Sequence, residues 1–158
     1  MTETLPAVAR DVTVKAPLER TFEVYTGTMG RWWPPEYHIG GSDLADVVIE
    51  PRVGGRWYER GVDGTECDWG RVLAWEPPSR LVLSWQISAE WRYDPDPAHG
   101  SEVEIRFTAV GPDSTHVELV HSRFERHGAG ATAVHGAMTE GLSHVLDRLR
   151  MLVESSSI

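Results

Sequence analysis

The hydrophobic and polar positions at the start of the chain predict one strand followed by two short helices. Residues 8–14 have the composition of a strand, and Pro17 then suits the first turn of a helix in which apolar residues recur at helical spacing. A second short helical or irregular piece carries Trp32 and Trp33 and ends at two prolines. These elements precede a long stretch with a different period.

From about residue 44 to residue 124 the hydrophobic period is two, which is typical of antiparallel strands with one buried face. Glycine, proline and aspartate mark the turns between the strands. The segment 93–100 has turn chemistry throughout and predicts an exposed loop. The predicted strands cover residues 44–50, 55–60, 69–75, 81–87, 103–109 and 115–124.

The period changes again near the end of the chain. After glycines at 128 and 130, apolar residues from Val134 to Leu152 step by three or four positions, so a helix of about five turns or more closes the sequence. Gly136 and Gly141 fall inside this helix, where each costs up to about 1 kcal/mol relative to alanine. Close approach to the sheet, or room for a ligand, would explain them.

This order of elements predicts an α+β fold in which the helices are segregated from an antiparallel sheet. A strongly twisted sheet of about six or seven strands curls, and a single long helix fills only part of its concave face. We expect the remainder to enclose a largely apolar cavity. No repeat, low-complexity tract or linker divides the sequence, so one domain over residues 1–158 is expected.

Composition narrows the partners. The formal charge of −9, from 24 acidic and 15 basic residues, repels phosphate backbones and disfavours nucleic acid as a partner. The single cysteine, Cys67, excludes an intramolecular disulfide. We find no signal peptide and no apolar stretch approaching the roughly 20 residues of a membrane span, so a cytoplasmic protein is expected.

Seven tryptophans are more than a core of this size needs, and they indicate a lined cavity or a binding surface. Some of these residues would simply fill the core, and we favour that interpretation for Leu83, Phe107 and Leu142. For Trp85 and His121 a place in the core and a place in the binding site are equally supported. Trp32 and Trp33 form either a lid at the entrance or a cap over the sheet edge. The apolar candidates are Leu83, Trp85, Phe107, Met138 and Leu142, and the candidates for directed hydrogen bonds are His121, Tyr58 and Trp69.

Other chemistry is weaker. His116 and Glu118 share one face of the last predicted strand, but His121 is an odd step away, so no metal site is predicted there. The glycines at 128 and 130 lie where a dinucleotide fingerprint would, yet no second parallel strand follows, and no cofactor is expected. Asp68 beside Cys67 would raise the thiol pKa, and the serines lack a nucleophile elbow, so covalent catalysis is unsupported.

Several motifs occur together in an order that resembles the START-like superfamily, and more narrowly its Hsp90-ATPase-activator homologue branch. The resemblance implies a helix-grip architecture, in which a curved sheet wraps a long C-terminal helix. Superfamily members include lipid and hormone carriers, ligand receptors, polyketide cyclases and co-chaperone domains, so the fold alone does not assign chemistry. The motifs are residues 17–24, 32–34, 53–57, 69–78, 80–85 and 117–124.

Three functions follow as hypotheses. The first is a non-catalytic protein that binds a hydrophobic or aromatic small molecule. The second, implied by the resemblance, is a co-chaperone-like module that acts on a chaperone. The third is an enzyme of cyclase or hydrolase type with His121, Glu118 or Tyr58 as acid or base in the cavity. Each of the three hypotheses is compatible with a homodimer.

Overall fold

The structure, a computed structural model, describes residues 5–155, so the ends of the expected domain, residues 1–4 and 156–158, lie outside the described residues. Within residues 5–155 the chain forms seven strands, two short helices and one long helix, in the predicted order. They are β1 Val8–Val14, α1 Leu18–Gly27, α2 Met29–Trp32, β2 Leu44–Ile49, β3 Arg56–Gly61, β4 Glu66–Glu76, β5 Arg80–Trp85, β6 Ser101–Gly111, β7 Ser114–Ser122 and α3 Ala131–Ser155. Two 3-10 segments, Pro97–His99 and Phe124–Gly130, precede β6 and α3.

The strands form one antiparallel sheet in the order β1-β7-β6-β5-β4-β3-β2. The sheet curls into a half-barrel around α3, so the predicted α+β helix-grip fold is confirmed. β1 lies at one edge because it pairs with β7, the last strand in sequence, along its whole length. No helix within residues 5–155 is long and apolar enough to cross a membrane.

The core lies between the concave face of the sheet and one stripe of α3. Leu81, Leu83 and Ile105 from the sheet and Leu149 from the helix are completely buried. The stripe of α3 recurs every three or four residues, which places its members on one face. It consists of Val134, Met138, Leu142, Val145, Leu149 and Val153, all buried.

The structure differs from the sequence pattern at three places. β7 ends at Ser122, because Arg123 takes a left-handed conformation with φ 63° and starts the 3-10 segment. In β5 the second face is also buried at Ser84, whose hydroxyl accepts from the Arg71 N–H and donates to Gln86. Gly136 lies on the exposed side of α3 with no atom near its missing side chain, so neither the sheet nor a ligand explains it.

Candidate ligand-binding site

An open cavity of about 450 Å³ lies between α3 and the half of the sheet that holds β4 and β5. α3 lines it with Met138, Leu142 and Val145, and also with Gly141, where the lack of a side chain leaves space beside the ring of Tyr37. The helical spacing of these positions brings them onto the same wall. A smaller pocket of about 70 Å³ adjoins it, since Trp85, Trp91 and Met138 line both.

Three tryptophans form the wall opposite α3. Trp69 at the start of β4 and Trp85 at the end of β5 lie 6.0 Å apart between ring centroids, and Trp33 lies 5.1 Å from Trp69. The Trp33 indole N–H donates to the Tyr37 carbonyl at 2.7 Å, and the Trp69 indole N–H donates to Glu59 at 2.8 Å. No described residue accepts from the indole N–H of Trp85. This donor is therefore available to a ligand.

Glu59 is a buried carboxylate in β3 that anchors one rim of the cavity. Only 1% of the residue is exposed. One of its oxygens accepts from the Ile39 N–H at 2.6 Å and from Trp69, and the other accepts from the Gly40 N–H at 3.0 Å. These contacts tie the loop between α2 and β2 to the tryptophan wall, so they fix where Tyr37 and His38 lie.

His38 lines the cavity from this loop. Its Nδ1 lies 3.1 Å from the Gly40 carbonyl and 3.9 Å from the Glu59 carboxylate. A carbonyl oxygen only accepts, so the hydrogen bond to Gly40 requires a proton on Nδ1. In the neutral tautomer with that proton, Nε2 is the hydrogen-bond acceptor, which is the atom a general base would use.

The mouth of the cavity combines aromatic rings with carboxylates. Tyr37 and Trp91 line it from two loops, and Trp91 is 53% exposed in a left-handed backbone conformation with φ 61°. Such a conformation costs a non-glycine residue about 1 to 3 kcal/mol, so it persists only where the surrounding structure holds it. Glu36 and Glu140 supply the carboxylates, and His144 lies 3.5 Å from Glu36.

Five of the residues predicted from the sequence line the cavity, namely Trp33, Trp69, Trp85, Met138 and Leu142. Three others, Trp32, Leu83 and Phe107, lie in the hydrophobic core and do not line it. Trp32 is neither lid nor edge cap, because its ring is fully buried and its N–H donates to the Val24 carbonyl at 3.2 Å. The part of each lining residue in binding stays a prediction.

The two remaining candidates, Tyr58 and His121, also do not line the cavity. Tyr58 follows the core residue Trp57 in β3, so its side chain points to the opposite face of the sheet. The Arg56 guanidinium covers that ring at 3.9 Å from its centroid. The structure therefore removes the geometric basis for either residue as a hydrogen-bonding group toward a ligand in this cavity.

His121 is fully buried behind Trp85 and stacks on Phe124 at 4.5 Å between ring centroids. Its Nε2 lies 2.6 Å from the Ser101 hydroxyl, which is also 2.8 Å from Nε2 of His127. A hydroxyl has one proton, so Ser101 donates to one ring and accepts from the other. Burial lowers the pKa of His121 to about 3, with smaller contributions from neighbouring histidines. A neutral imidazole in a closed core is the result.

The other candidate groups stay apart. His116 pairs with Asp11 at 2.8 Å on the face of β7 opposite His121, and Glu118 is exposed on that same outer face. Within residues 5–155 no group of three or more metal-ligating side chains is placed to hold an ion. Burial and neighbouring carboxylates raise the pKa of the Cys67 thiol, Glu59 contributing most among them, which disfavours a nucleophilic thiolate.

The sequence pattern missed Tyr37, His38, Glu59 and Trp91. The first two lie on a loop and Trp91 in a turn, where no hydrophobic period applies. In the sequence Glu59 resembles a solvated charge on a strand. Its anchoring role is visible only in the structure, where three N–H groups donate to its carboxylate. The available signal was weak: an isolated tryptophan at position 91, just before a polar loop.

Residues 15–154 match the family model described as Activator of Hsp90 ATPase homolog 1-like protein. The chain is 40% identical to the anthrahydroquino-gamma-pyrone synthase Txn09, over 96% of this chain and 99% of that one, with a TM-score of 0.68. It is 31% identical to the self-sacrificing resistance protein CalC from Micromonospora echinospora, over 95% of each chain, also with a TM-score of 0.68. Protein MLL2253 from Mesorhizobium loti shares the fold at 22% identity and a TM-score of 0.69, over 97% of this chain and 100% of that one. No curated protein sequence matches.

Proposed function

Because the chain belongs to the Activator of Hsp90 ATPase homolog 1-like family, within the START-like superfamily, we propose that its cavity binds a hydrophobic, aromatic small molecule. One observation carries the proposal: an open space of about 450 Å³ with Trp33, Trp69 and Trp85 along one wall. This volume lies within the range of about 300 to 1,000 Å³ typical of small-molecule sites. Flat aromatic walls favour a planar ligand that stacks edge or face against them.

Behind the mouth, and within the described residues, His38 is the only ionisable side chain that lines the cavity, which also supports a ligand with an apolar ring system. The indole N–H groups of Trp33 and Trp69 are used on protein acceptors, and the one of Trp85 has no acceptor among the described residues. A ligand carbonyl or hydroxyl oxygen beside Trp85 would satisfy this donor. We therefore expect a ring system that carries at least one hydrogen-bond acceptor.

The test uses anthracenemethanol, a planar neutral probe with one hydroxyl group, followed by tryptophan emission and by thermal unfolding. Binding should quench the wall tryptophans and, at a probe concentration of about 100 times Kd, raise Tm by about 5 to 10 °C. Ala137 lines the cavity on α3, so Ala137→Phe fills it and should weaken binding at least tenfold. Ser143→Phe is the matched control, because Ser143 is exposed on α3 and does not line the cavity.

Equal binding by both variants would show that the probe binds elsewhere. If neither the tryptophan emission nor the Tm of the unchanged protein changes with this or related planar probes, the proposed binding function is wrong. A third result, loss of binding in Ala137→Phe together with a large loss of unfolding free energy, is resolved by Gly141→Leu, which narrows the same space at a different position of the helix.

A ring-closing enzyme is a second candidate, and a specific observation favours it. The 40% identical structure is of a gamma-pyrone synthase, and His38 presents an acceptor nitrogen in a cavity of the same fold. Formation of a dihydropyranone ring by addition of a phenol to an enone is an isomerisation, so it needs no oxidant. A base takes the phenol proton, the oxygen bonds to the distal enone carbon, and the enolate takes a proton back at the adjacent carbon. His38 is the candidate base, in place of His121, Glu118 and Tyr58.

A hydroxychalcone that closes to a flavanone tests this candidate by its change in absorbance. We expect the unchanged protein to accelerate closure over buffer and His38→Gln to lose the acceleration. His116→Gln, on the outer face of β7, should retain it. Acceleration that survives His38→Gln would rule out His38 as the base, and no acceleration by any of the three proteins would count against ring closure of this type.

The family description also keeps a chaperone as an alternative partner. Its test is the ATPase rate of purified Hsp90 with and without this protein. An unchanged rate across a wide concentration range would remove that alternative without affecting the small-molecule proposal.

A further inference from the structure

The charged groups around the cavity are mainly carboxylates, whereas an acidic ligand would need positively charged groups. Glu36 and Glu140 line the mouth, and His38 is the only other ionisable side chain besides Tyr37 among the lining residues. No lysine or arginine of residues 5–155 lines the cavity, and Arg92, which follows Trp91 in the sequence, does not line it either. Local charge and the formal net charge of −9 thus act in the same direction.

The aromatic walls add to this preference. The ring face of a tryptophan carries negative quadrupole density, so it attracts a cation placed over it, more strongly than tyrosine or phenylalanine does. Trp33, Trp69, Trp85 and Trp91 all line the cavity, together with Tyr37 at the mouth. A cationic group between these rings and the two carboxylates would be stabilised by both.

Glu59 contributes a third negative group close behind the wall. Its carboxylate is buried and receives only N–H groups as hydrogen-bond donors, with no lysine or arginine in ion-pair contact. The basic groups here are two histidines, His38 in the lining and His144, which lies 3.5 Å from Glu36, and each is charged only when protonated. Among the described lining residues, no lysine or arginine offsets the carboxylates that an anionic ligand would meet.

From these observations we infer that the ligand is a planar aromatic molecule with a cationic amino substituent, which lies at the mouth between Glu36 and Glu140 while the ring system stacks on the tryptophan wall. This inference rests on the proposed binding function and adds the charge class of the ligand. The amine is oriented by the carboxylates, and the ring enters the apolar interior.

Three anthracene probes that differ in one substituent test it: hydroxymethyl, which is neutral, methylaminomethyl, which is cationic at pH 7.5, and carboxylate, which is anionic. At low salt we expect the amine to bind about tenfold more tightly than the carboxylate, with the alcohol between them, since two partly exposed carboxylates act at short range. Raising the ionic strength should narrow this difference, because exposed charges are screened.

The double variant Glu36→Gln and Glu140→Gln should reduce the preference for the amine over the carboxylate to about twofold, and it should weaken binding of the amine more than binding of the alcohol. Its matched control is Glu19→Gln with Glu23→Gln, which removes the same charge from exposed positions of α1 and should leave the preference near tenfold. The control separates the local effect of the mouth from the effect of net charge.

Each outcome bears on a separate statement. If the alcohol binds and the carboxylate binds as tightly as the amine, the charge class is wrong and the binding function stands. A control double variant that loses the preference as fully as the mouth variant would also overturn the inference, because net charge would then be the cause. If none of the three probes binds, the failure lies with the proposed function itself.

Discussion

Glu59 shows how one residue can hold a site together while having the sequence signature of a surface charge. Its two oxygens accept three N–H groups, from Ile39, Gly40 and the Trp69 indole. A buried carboxylate without a lysine or arginine in ion-pair contact persists only where hydrogen bonds replace the lost hydration. The pattern of β3 alone places a charge here, but the identity of its donors depends on a loop about 20 residues away.

Glu59→Gln should lower the free energy of unfolding by about 1 to 3 kcal/mol. A glutamine has one acceptor oxygen, so its amide group would face either the Gly40 N–H or the pair formed by Ile39 and Trp69, donor against donor. Urea unfolding measures the loss. Glu23→Gln, at an exposed position of α1, is the control and should change stability by less than about 0.5 kcal/mol. A loss for Glu59→Gln no larger than this control would contradict the anchoring role.

His121 makes the stability depend on pH. Burial depresses its pKa from the ordinary 6.5 to about 3, so between these values the unfolded chain binds a proton that the folded protein does not. Stability from this group is complete above about pH 6.5 and falls as the pH drops toward 3, at up to about 1.4 kcal/mol per pH unit. The lowered pKa of His127, which shares Ser101 with it, acts in the same direction.

His121→Asn should therefore lose less stability than the unchanged protein between pH 7.0 and pH 5.0, although it is less stable at pH 7.0 because the stack on Phe124 is lost. Urea unfolding at the two pH values gives both numbers. The expected difference in the pH effect is about 1 to 2 kcal/mol. The same pH effect in both proteins would show that His121 does not control the acid response.

At the scale of elements, the hydrophobic period and the residues typical of turns predicted most of the strands and helices. β1 matches its predicted bounds, and the other strands match within a few residues, because a sheet with one buried face records its register in alternate positions. The pattern could not foresee Trp91, whose place at the mouth depends on a strained turn, nor that Trp32 would be buried while Trp33 lines the cavity. Trp32 is the last residue of α2, whereas Trp33 follows it in an extended conformation, so the two side chains take different directions.

The two glycines of α3 provide a matched pair at this scale. Each substitution to alanine should raise the free energy of unfolding by about 0.5 to 1 kcal/mol, because alanine favours the helix. A side chain at Gly136 meets no atom within 4 Å, whereas one at Gly141 meets the Tyr37 ring at 3.6 Å, an ordinary contact on the cavity wall. We expect both variants to be stabilised and only Gly141→Ala to change the affinity for anthracenemethanol.

Urea unfolding and probe titration of the two variants decide the matter. A change in affinity of the same size in Gly136→Ala would show that helix stability, and not the space beside Tyr37, governs binding. Destabilisation of Gly141→Ala would instead mean that the Tyr37 loop cannot accommodate the added methyl group.

At the scale of the whole molecule, the site forms where segments that are distant in sequence meet in space. Its walls come from α3, β4, β5 and two loops that are far apart in sequence, so no short motif contains it. The sequence predicted the residues on regular elements, since Trp69, Trp85, Met138 and Leu142 follow a period. It did not predict the residues that close the space, because loops are positioned by tertiary contacts such as those of Glu59.

The contrast between the loops and the regular elements predicts which backbone amides become protected when a ligand binds. Loops with few apolar contacts open at lower free energy than the sheet does, and binding that holds them closed slows the exchange of their amide hydrogens. With anthracenemethanol bound, amide exchange should slow in residues 36–40, 88–91 and 137–145, which surround the cavity. The amides of β1 and β7 lie on the other half of the sheet and should be unchanged. Hydrogen exchange followed by mass spectrometry measures all five segments in one experiment. Protection confined to β1 and β7 would place the ligand away from the tryptophan wall, whereas uniform protection would indicate global stabilisation alone.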